Sequence, residues 1–200
     1  MLGTKILEEK ESKFNGNLRV LRSLGLGTYI QADGLTQSGG IVESIWKSTL
    51  KKVKNSKLKI QNCLILGLGG GTAAKLVKKY WPEVKITGVD IDPLIIDLGK
   101  KHLGLDQIDL DIRTVDAYRF NTIGYDLVIV DLYQGDKFPE KFEGEKFLKK
   151  LTKNKLVIFN RTYYGDKRPL AVKFGLKLQK IFRKVTYFYP EANLMFICSR

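Results

Sequence analysis

The sequence predicts an α/β fold: an open, mostly parallel sheet of seven strands with an antiparallel C-terminal strand, preceded by a small β-hairpin or sheet. Three observations predict it. From residue 60 onward, apolar runs of strand length alternate with amphipathic runs of helix length. The run Leu64-Ile65-Leu66-Gly67-Leu68-Gly69-Gly70-Gly71-Thr72 passes from a buried-type strand through glycines into a helix, and Val89-Asp90 closes the next strand nineteen residues after Gly71. Two last strand-like runs are separated only by Pro190-Glu191-Ala192-Asn193, a hairpin-like join.

Residues 4–31 alternate in a strand-like way, with Asn15-Gly16-Asn17 and Gly25-Leu26-Gly27 as turns around Leu18-Arg19-Val20-Leu21, and Thr28-Tyr29-Ile30 following. A loop is expected over 33–40. An amphipathic helix follows over 41–53, with Ile45, Leu50 and Val53 apolar and a lysine-rich last turn that suits the helix dipole. Then come strand 60–66, helix 72–80, strand 84–90, helix 93–103 and strands 109–115 and 125–131. Asp92 before Pro93 is a start signal for the helix over 93–103. A helix near 143–151, a strand over 155–160 and a helix over 168–183 lead to strands 184–189 and 193–199. Leu170, Phe174, Leu178, Ile181 and Phe182 form one face of the last helix.

With 200 residues, 44% of them apolar, the chain is long and apolar enough to bury a full core. Cys63 and Cys198 lie in apolar strands without metal-ligand spacing, which reads as reduced core cysteines and a cytoplasmic setting, with no metal. The first ten residues lack the apolar stretch of a signal peptide and no run of 18 apolar residues exists, so neither secretion nor a membrane span is expected. The net charge of +14 raises nucleic acid as a partner. The lysines are spread over every helix rather than clustered, so solvated helix faces account for them equally well and nucleic acid is not favoured.

The glycine turn carries the chemical signal, because glycines at the end of a strand let a ligand approach the backbone. A dinucleotide fingerprint would need glycine or alanine where Thr72 stands, and no Gly-Lys-Ser/Thr follows as in a P-loop. What stands is G-x-G-x-G at Gly67, Gly69 and Gly71; such turns also serve packing alone. Acids then close three successive strands: Asp90, Asp116 and Asp131. Buried parallel strands are otherwise apolar, and the carboxyl edge of an open sheet is where ligands bind. Asp90 is placed to accept from ribose hydroxyls and Asp116 from an adenine amino group. Asp131 reads as the acid beside the reacting carbon, or alternatively as a helix cap. His102, the only histidine, is expected to be solvated at a helix end.

These residues resemble the class I S-adenosylmethionine-dependent transferases, and within them spermidine synthases and spermidine synthase-like proteins, from about residue 17 to the C-terminus. Asp33-Gly34-Leu35-Thr36-Gln37 is similar to the D-G-x-x-Q segment of that branch, and Tyr189-Pro190 with Leu194 to Ser199 to its closing hairpin. Ile65 fits too, since many methyltransferases carry an acid there. The resemblance implies a small N-terminal β appendage over 1–40 and a Rossmann-like transferase domain over 41–200. It implies S-adenosylmethionine or its decarboxylated form as donor, held by Gln37, Gly67, Gly69, Gly70, Gly71, Asp90, Ile91, Asp116 and Ala117. Asp131 would act on the acceptor, with Tyr133, Gln134, Asp136 and Tyr189 on the acceptor side; either tyrosine can also be plain packing.

The departures fall on the amine-recognition half. Spermidine synthases read G-G-G-D-G where this chain has Gly70 at the aspartate, and D-S-S-D-P where it has Asp131-Leu132-Tyr133-Gln134-Gly135. The loop after Gln37 is shortened and an acceptor-channel tyrosine has no match near Ile41. Two lost carboxylates in a chain of charge +14 argue against a polycation, unless Asp136 folds inward. The expected activity is transfer of a carbon group, aminopropyl or methyl, to a small acceptor. A nucleic-acid methyltransferase and a non-catalytic adenosyl-nucleoside-binding module are the alternatives, and a homodimer is allowed.

Overall fold

The computed structural model describes residues 3–56 and 58–199; residues 1–2 and 200, at the ends of the expected segments, and Lys57 lie outside them. The chain begins with four antiparallel strands in sequential order, β1 (Thr4–Ser12), β2 (Gly16–Ser23), β3 (Gly27–Ala32) and β4 (Leu35–Gly39). The last of these replaces the loop expected over 33–40. Its signal is the pair Asp33-Gly34, both at positive φ (46° and 83°), the backbone of a two-residue hairpin turn that asparagine, aspartate and glycine supply. Asp33 steadies it by accepting from Asn17 N at 3.1 Å.

Next come α1 (Gly40–Lys54), β5 (Asn62–Leu66), α2 (Thr72–Tyr80), β6 (Lys85–Asp90), α3 (Pro93–Leu103), β7 (Asp111–Thr114), β8 (Leu127–Val130), α4 (Glu145–Leu151), β9 (Leu156–Thr162), α5 (Lys167–Ile181), β10 (Lys184–Phe188) and β11 (Asn193–Ser199). The seven-stranded sheet has the order β10-β11-β9-β8-β5-β6-β7. Only β11 runs antiparallel, and it lies between β9 and β10 rather than at the edge. From β5 the chain moves to β6 and β7, then returns to β8 on the other flank. That reversal opens a crevice at the carboxyl ends of β5 and β8.

Alternation along the strands divides the core in two. Cys63 and Ile65 of β5, Leu127 and Ile129 of β8 and Ile158 of β9 pack against α1 and α2. Leu64, Leu66, Val128, Val130 and Phe159 face α4 and α5. A third cluster joins the N-terminal sheet to α3 through Leu18, Val20, Ile30, Ala32, Ile95 and Leu98.

Buried Asp92 fastens that junction. It caps α3 by accepting from Leu94 N (2.9 Å), as its place before Pro93 predicts, and also accepts from Ser12 Oγ and Asn15 Nδ2, both at 2.6 Å. His102 is not solvated as expected. Its ring, 16% exposed, meets Glu8 of β1 at 2.6 Å. The bonds from His102 and Lys101 hold the Glu8 carboxyl down to about 2.

Candidate active site

The glycine turn at the head of β5 is held from two sides. Ser38 Oγ accepts from Gly70 N (2.8 Å), and Thr72 Oγ1 accepts from Gly39 N (2.7 Å), so β4 is stapled to the turn. Thr72, which breaks the dinucleotide pattern, is one of the staples. A Cβ on Gly67, which has φ 87°, would run into the Asp131 carbonyl at the end of β8. A Cβ on Gly70 would meet Leu103, Ile30 and Ser38, and one on Gly71 would meet Leu105. Gly70 therefore serves the packing of α3 against the first sheet, and Gly71 the packing of Leu105 after α3. Neither lines the cleft, and an aspartate at position 70 would point into the packed interior.

In front of Gly67 and Gly69 lies a cleft open to solvent at the carboxyl edge of the sheet. Gln37, Asp90, Ile91, Asp116, Ala117, Asp131, Tyr133 and Gln134 line it, joined by Asn15, Ser38, Trp46 and Lys141. Asp90 is braced against the turn: Gly69 N donates to Oδ2 (2.7 Å) and Asp92 N to Oδ1 (3.0 Å). Burial raises the Asp90 pKa above the ordinary aspartate value, against those two backbone N–H groups, while the Asp92 carboxylate adds to the rise. A carboxylate has about four acceptor sites, so Asp90 keeps acceptor capacity for a ligand. Asp116 also lines the cleft; Lys141 Nζ reaches its Oδ2 at 2.7 Å and Tyr118 N donates to Oδ1. Burial pushes its carboxyl up, but the Lys141 bond and the Tyr118 N–H outweigh it and leave the pKa below the ordinary value.

Asp131 stands half-buried at the tip of β8, where this cleft adjoins a second one. It does not cap a helix. Trp46 Nε1 of α1 donates to Oδ2 (2.9 Å), and Asn160 Nδ2 of β9 donates to Oδ1 (2.8 Å). Burial raises its pKa to about 6, against the hydrogen bonds from Asn160 and Trp46, and Asp90 pushes in the same direction as burial. Asn160 is itself oriented, because its Oδ1 accepts from Asn193 Nδ2 at 2.7 Å. A carboxylate fixed by two neutral donors and titrating near neutrality is suited to remove a proton.

The second cleft is bounded by Leu35, Gln37, Ile41, Ile45, Asp131, Tyr133, Asn160, Tyr164 and Glu191, among others. Its only charged lining residues, among those described, are Asp131 and Glu191. The net charge of +14 therefore does not extend to this surface, and the argument that charge disfavours a cationic acceptor does not hold locally. Ile41 stands here, where the resemblance lacks its tyrosine.

The remaining expected residues separate. Tyr133 is fixed between strands, its hydroxyl accepting from Thr162 N (2.8 Å) and donating to Asn160 O (3.3 Å); burial raises its pKa to about 12. Gln37 Nε2 donates to Gly135 O (3.1 Å), tying β4 to the loop after β8. Asp136 does not fold inward: it pairs with Lys167 Nζ at 2.7 Å and faces a separate basin. Tyr189 lines neither cleft; it is 56% exposed and packs edge-on against Tyr163.

Sequence reasoning missed Trp46, Asn160, Lys141 and Glu191. Asn160 was findable, since it is the polar residue ending the apolar run Leu156-Val157-Ile158-Phe159, the same signal that marks Asp131. Trp46 reads as core, and nothing local tells where its indole N–H points. Among the described residues no group of three or more His, Cys, Asp or Glu is arranged to hold a metal, and no helix is long and apolar enough to cross a membrane.

No family model matches the sequence. It is 35% identical over 89 residues to a probable polyamine aminopropyl transferase of Bifidobacterium longum, covering 43% of this chain and 20% of that protein. It is 24% identical over 194 residues to a polyamine aminopropyltransferase of Alkaliphilus oremlandii, covering 90% and 66%. The chain thus spans between a fifth and two thirds of the length of these two relatives. A probable spermidine synthase from Corynebacterium glutamicum superposes with a TM-score of 0.76 at 17% identity, over 98% of this chain and 79% of that one. Human Methyltransferase-like protein 13, solved with SAH, superposes with a TM-score of 0.62 at 19% identity, over 80% and 81%. At such identities the superpositions speak to the fold, a Rossmann-like transferase sheet behind a small N-terminal sheet.

Proposed function

For a chain of the spermidine synthase-like branch of the S-adenosylmethionine-dependent methyltransferase-fold superfamily, we propose a transferase that moves a carbon group from an adenosyl sulfonium donor in the first cleft to a small amine in the second. The observation that carries this is Asp131, which lines both clefts and is, among the described residues, the one carboxylate they share. Asp90 holds the ribose, and Asp116 accepts from the adenine once Lys141 yields. Ala117 and Ile91 wall the base. The acceptor nitrogen bonds to the donor carbon as the carbon–sulfur bond breaks. The neutral thioether leaves, and Asp131 takes the proton from the nitrogen.

Two charge arguments refine the reading. Among the described residues, Lys141 is the one cation lining the first cleft and is bound to Asp116, and no Lys or Arg lines the second. The carboxylate of intact S-adenosylmethionine would have no counter-ion there, which favours the decarboxylated donor and aminopropyl transfer. An acceptor cleft whose charges are both negative repels phosphate, which weighs against a nucleic-acid acceptor.

The test is calorimetry with methylthioadenosine, S-adenosylmethionine and its decarboxylated form, followed by assay of methylthioadenosine release with 1,4-diaminobutane. The decarboxylated donor should bind more tightly than the intact one. Charge-assisted bonds to ribose are worth about 1.5–3 kcal/mol, so Asp90→Ala should weaken binding by about 10- to 100-fold. Equal affinities for wild type and Asp90→Ala would remove Asp90 from the site. Donor binding without any turnover would favour the non-catalytic module.

A further inference from the structure

Resting on the reading of Asp131 as the base, we propose that Asn193 is a positioning residue: acting through Asn160, it holds a hydrogen-bond donor on the Asp131 carboxylate and so keeps that acid ready to take a proton. The strand register puts the two amides within reach of each other. In the antiparallel pair of β9 and β11, Asn193 stands opposite Thr162 and Met195 opposite Asn160, so Asn160 and Asn193 are diagonal neighbours on one face of the sheet. The rest of that row is apolar: Leu156, Ile158 and Met195 belong to the core under α1 and α2, and Ile197 packs against it. Two amides that close an apolar row must find partners, and the partners they find lead to Asp131.

The bonds run in one direction. Asn193 Nδ2 donates to Asn160 Oδ1 at 2.7 Å, and Asn160 Nδ2 donates to Asp131 Oδ1 at 2.8 Å. An amide oxygen only accepts and an amide nitrogen only donates. With its oxygen engaged by Asn193, Asn160 offers Asp131 its nitrogen, which favours the carboxylate over the protonated acid. Were the oxygen turned to Asp131 instead, two acceptors would face each other, and only a protonated Asp131 would satisfy them. The Asn160 backbone is pinned as well, its carbonyl accepting from the Tyr133 hydroxyl at 3.3 Å. Asn193 is anchored by its own N–H, which donates to Pro190 O at 3.0 Å and closes the turn between β10 and β11. No other group about Asp131 replaces this control. Trp46 Nε1 donates to the opposite oxygen, Oδ2, and Asp90 opposes ionisation. The Tyr133 hydroxyl is occupied between Asn160 O and Thr162 N, Lys141 is paired with Asp116, and Glu191 on the second cleft has the same sign as Asp131.

The experiment follows the Trp46 indole N–H, which donates to Asp131, in nitrogen–proton spectra of the full chain from about pH 4 to 8, for wild type, Asn193→Leu and Asn193→Asp. Asn193→Leu is similar in size, alters no charge and removes the donor. Its indole midpoint should lie about half to one pH unit above that of wild type, part of the roughly one to two units that a hydrogen bond to a charged group is worth. Asn193→Asp is isosteric and, once ionised, only accepts, so it draws the Asn160 nitrogen away from Asp131 and should raise the midpoint further. In an assay of methylthioadenosine release, the acid limb of the kcat profile should move with the indole midpoint. A purely structural Asn193 would lower the Tm of both variants and leave the midpoint where it is. An unmoved midpoint in either folded variant, or a wild-type indole that does not titrate, overturns the proposal. Because the spectra need neither donor nor amine, that result leaves the transferase reading standing on its own assay. A midpoint that moves in a chain that turns over no amine upholds the role of Asn193 and overturns the transferase reading.

Discussion

Titration of Asp131 should be visible at Trp46, whose indole N–H donates to the carboxylate at 2.9 Å. The chain has two tryptophans, and the other, Trp81, has its indole nitrogen buried without a partner, so the two indole signals are distinct reporters. The Trp46 signal is expected to shift with a midpoint near pH 6, the value to which burial pushes Asp131 against the bonds from Asn160 and Trp46. The gap from an ordinary aspartate value near 3.9 is worth about 3 kcal/mol. Its sign is unfavourable to the folded state at neutral pH. Between about pH 4 and 6 the folded chain binds the proton that the unfolded chain has released, so Asp131 makes stability fall as pH rises through that window and become level above it. Asp131→Asn removes this slope. At pH 7 it relieves up to about 3 kcal/mol, but an amide offers one acceptor to two donors, and a donor left unpaired costs about 1–3 kcal/mol. The variant should therefore be as stable as wild type or slightly more so at pH 7, and less stable at pH 4.5. Turnover should drop by about 10²–10⁴ with donor affinity little changed. The assays are indole nitrogen–proton spectra from pH 4 to 8 and urea unfolding of both proteins at pH 4.5 and 7. An indole midpoint near 4, or a stability difference between the two proteins that does not vary with pH, would refute the reasoning.

Three further outcomes are expected. Asp92→Ala strips the cap of α3 and strands the Ser12 and Asn15 donors, so urea unfolding should lose roughly 3–5 kcal/mol, with Asp92→Asn milder. Gly67→Ala forces a side chain onto the Asp131 carbonyl at a left-handed φ and should cost more than about 2 kcal/mol; a variant of wild-type Tm would contradict the close approach. Any nucleic-acid binding should lack sequence preference and fall at least about tenfold between about 50 and 200 mM salt; a tight, salt-resistant, sequence-specific complex would return the nucleic-acid reading to first place.

The order of strands and helices was legible in the sequence because it is written in short-range periodicity. Strand-like runs ending in an acid marked Asp90, Asp116 and Asp131, and Asp92-Pro93 marked the start of α3, since capping acts over two or three residues. The Asp33-Gly34 turn was equally local, and reading it would have supplied β4 in place of a loop. The tertiary structure alone decided which side chains meet. Trp46 and Asp131 are 85 positions apart, and Asn160 and Asn193 are 33 apart. Their junction depends on how α1, β8, β9 and β11 pack, which no local pattern encodes. Charge divides in the same way. The total of +14 is fixed by composition, but a second cleft with no lysine or arginine among its described lining residues exists because folding places the lysines elsewhere on the surface.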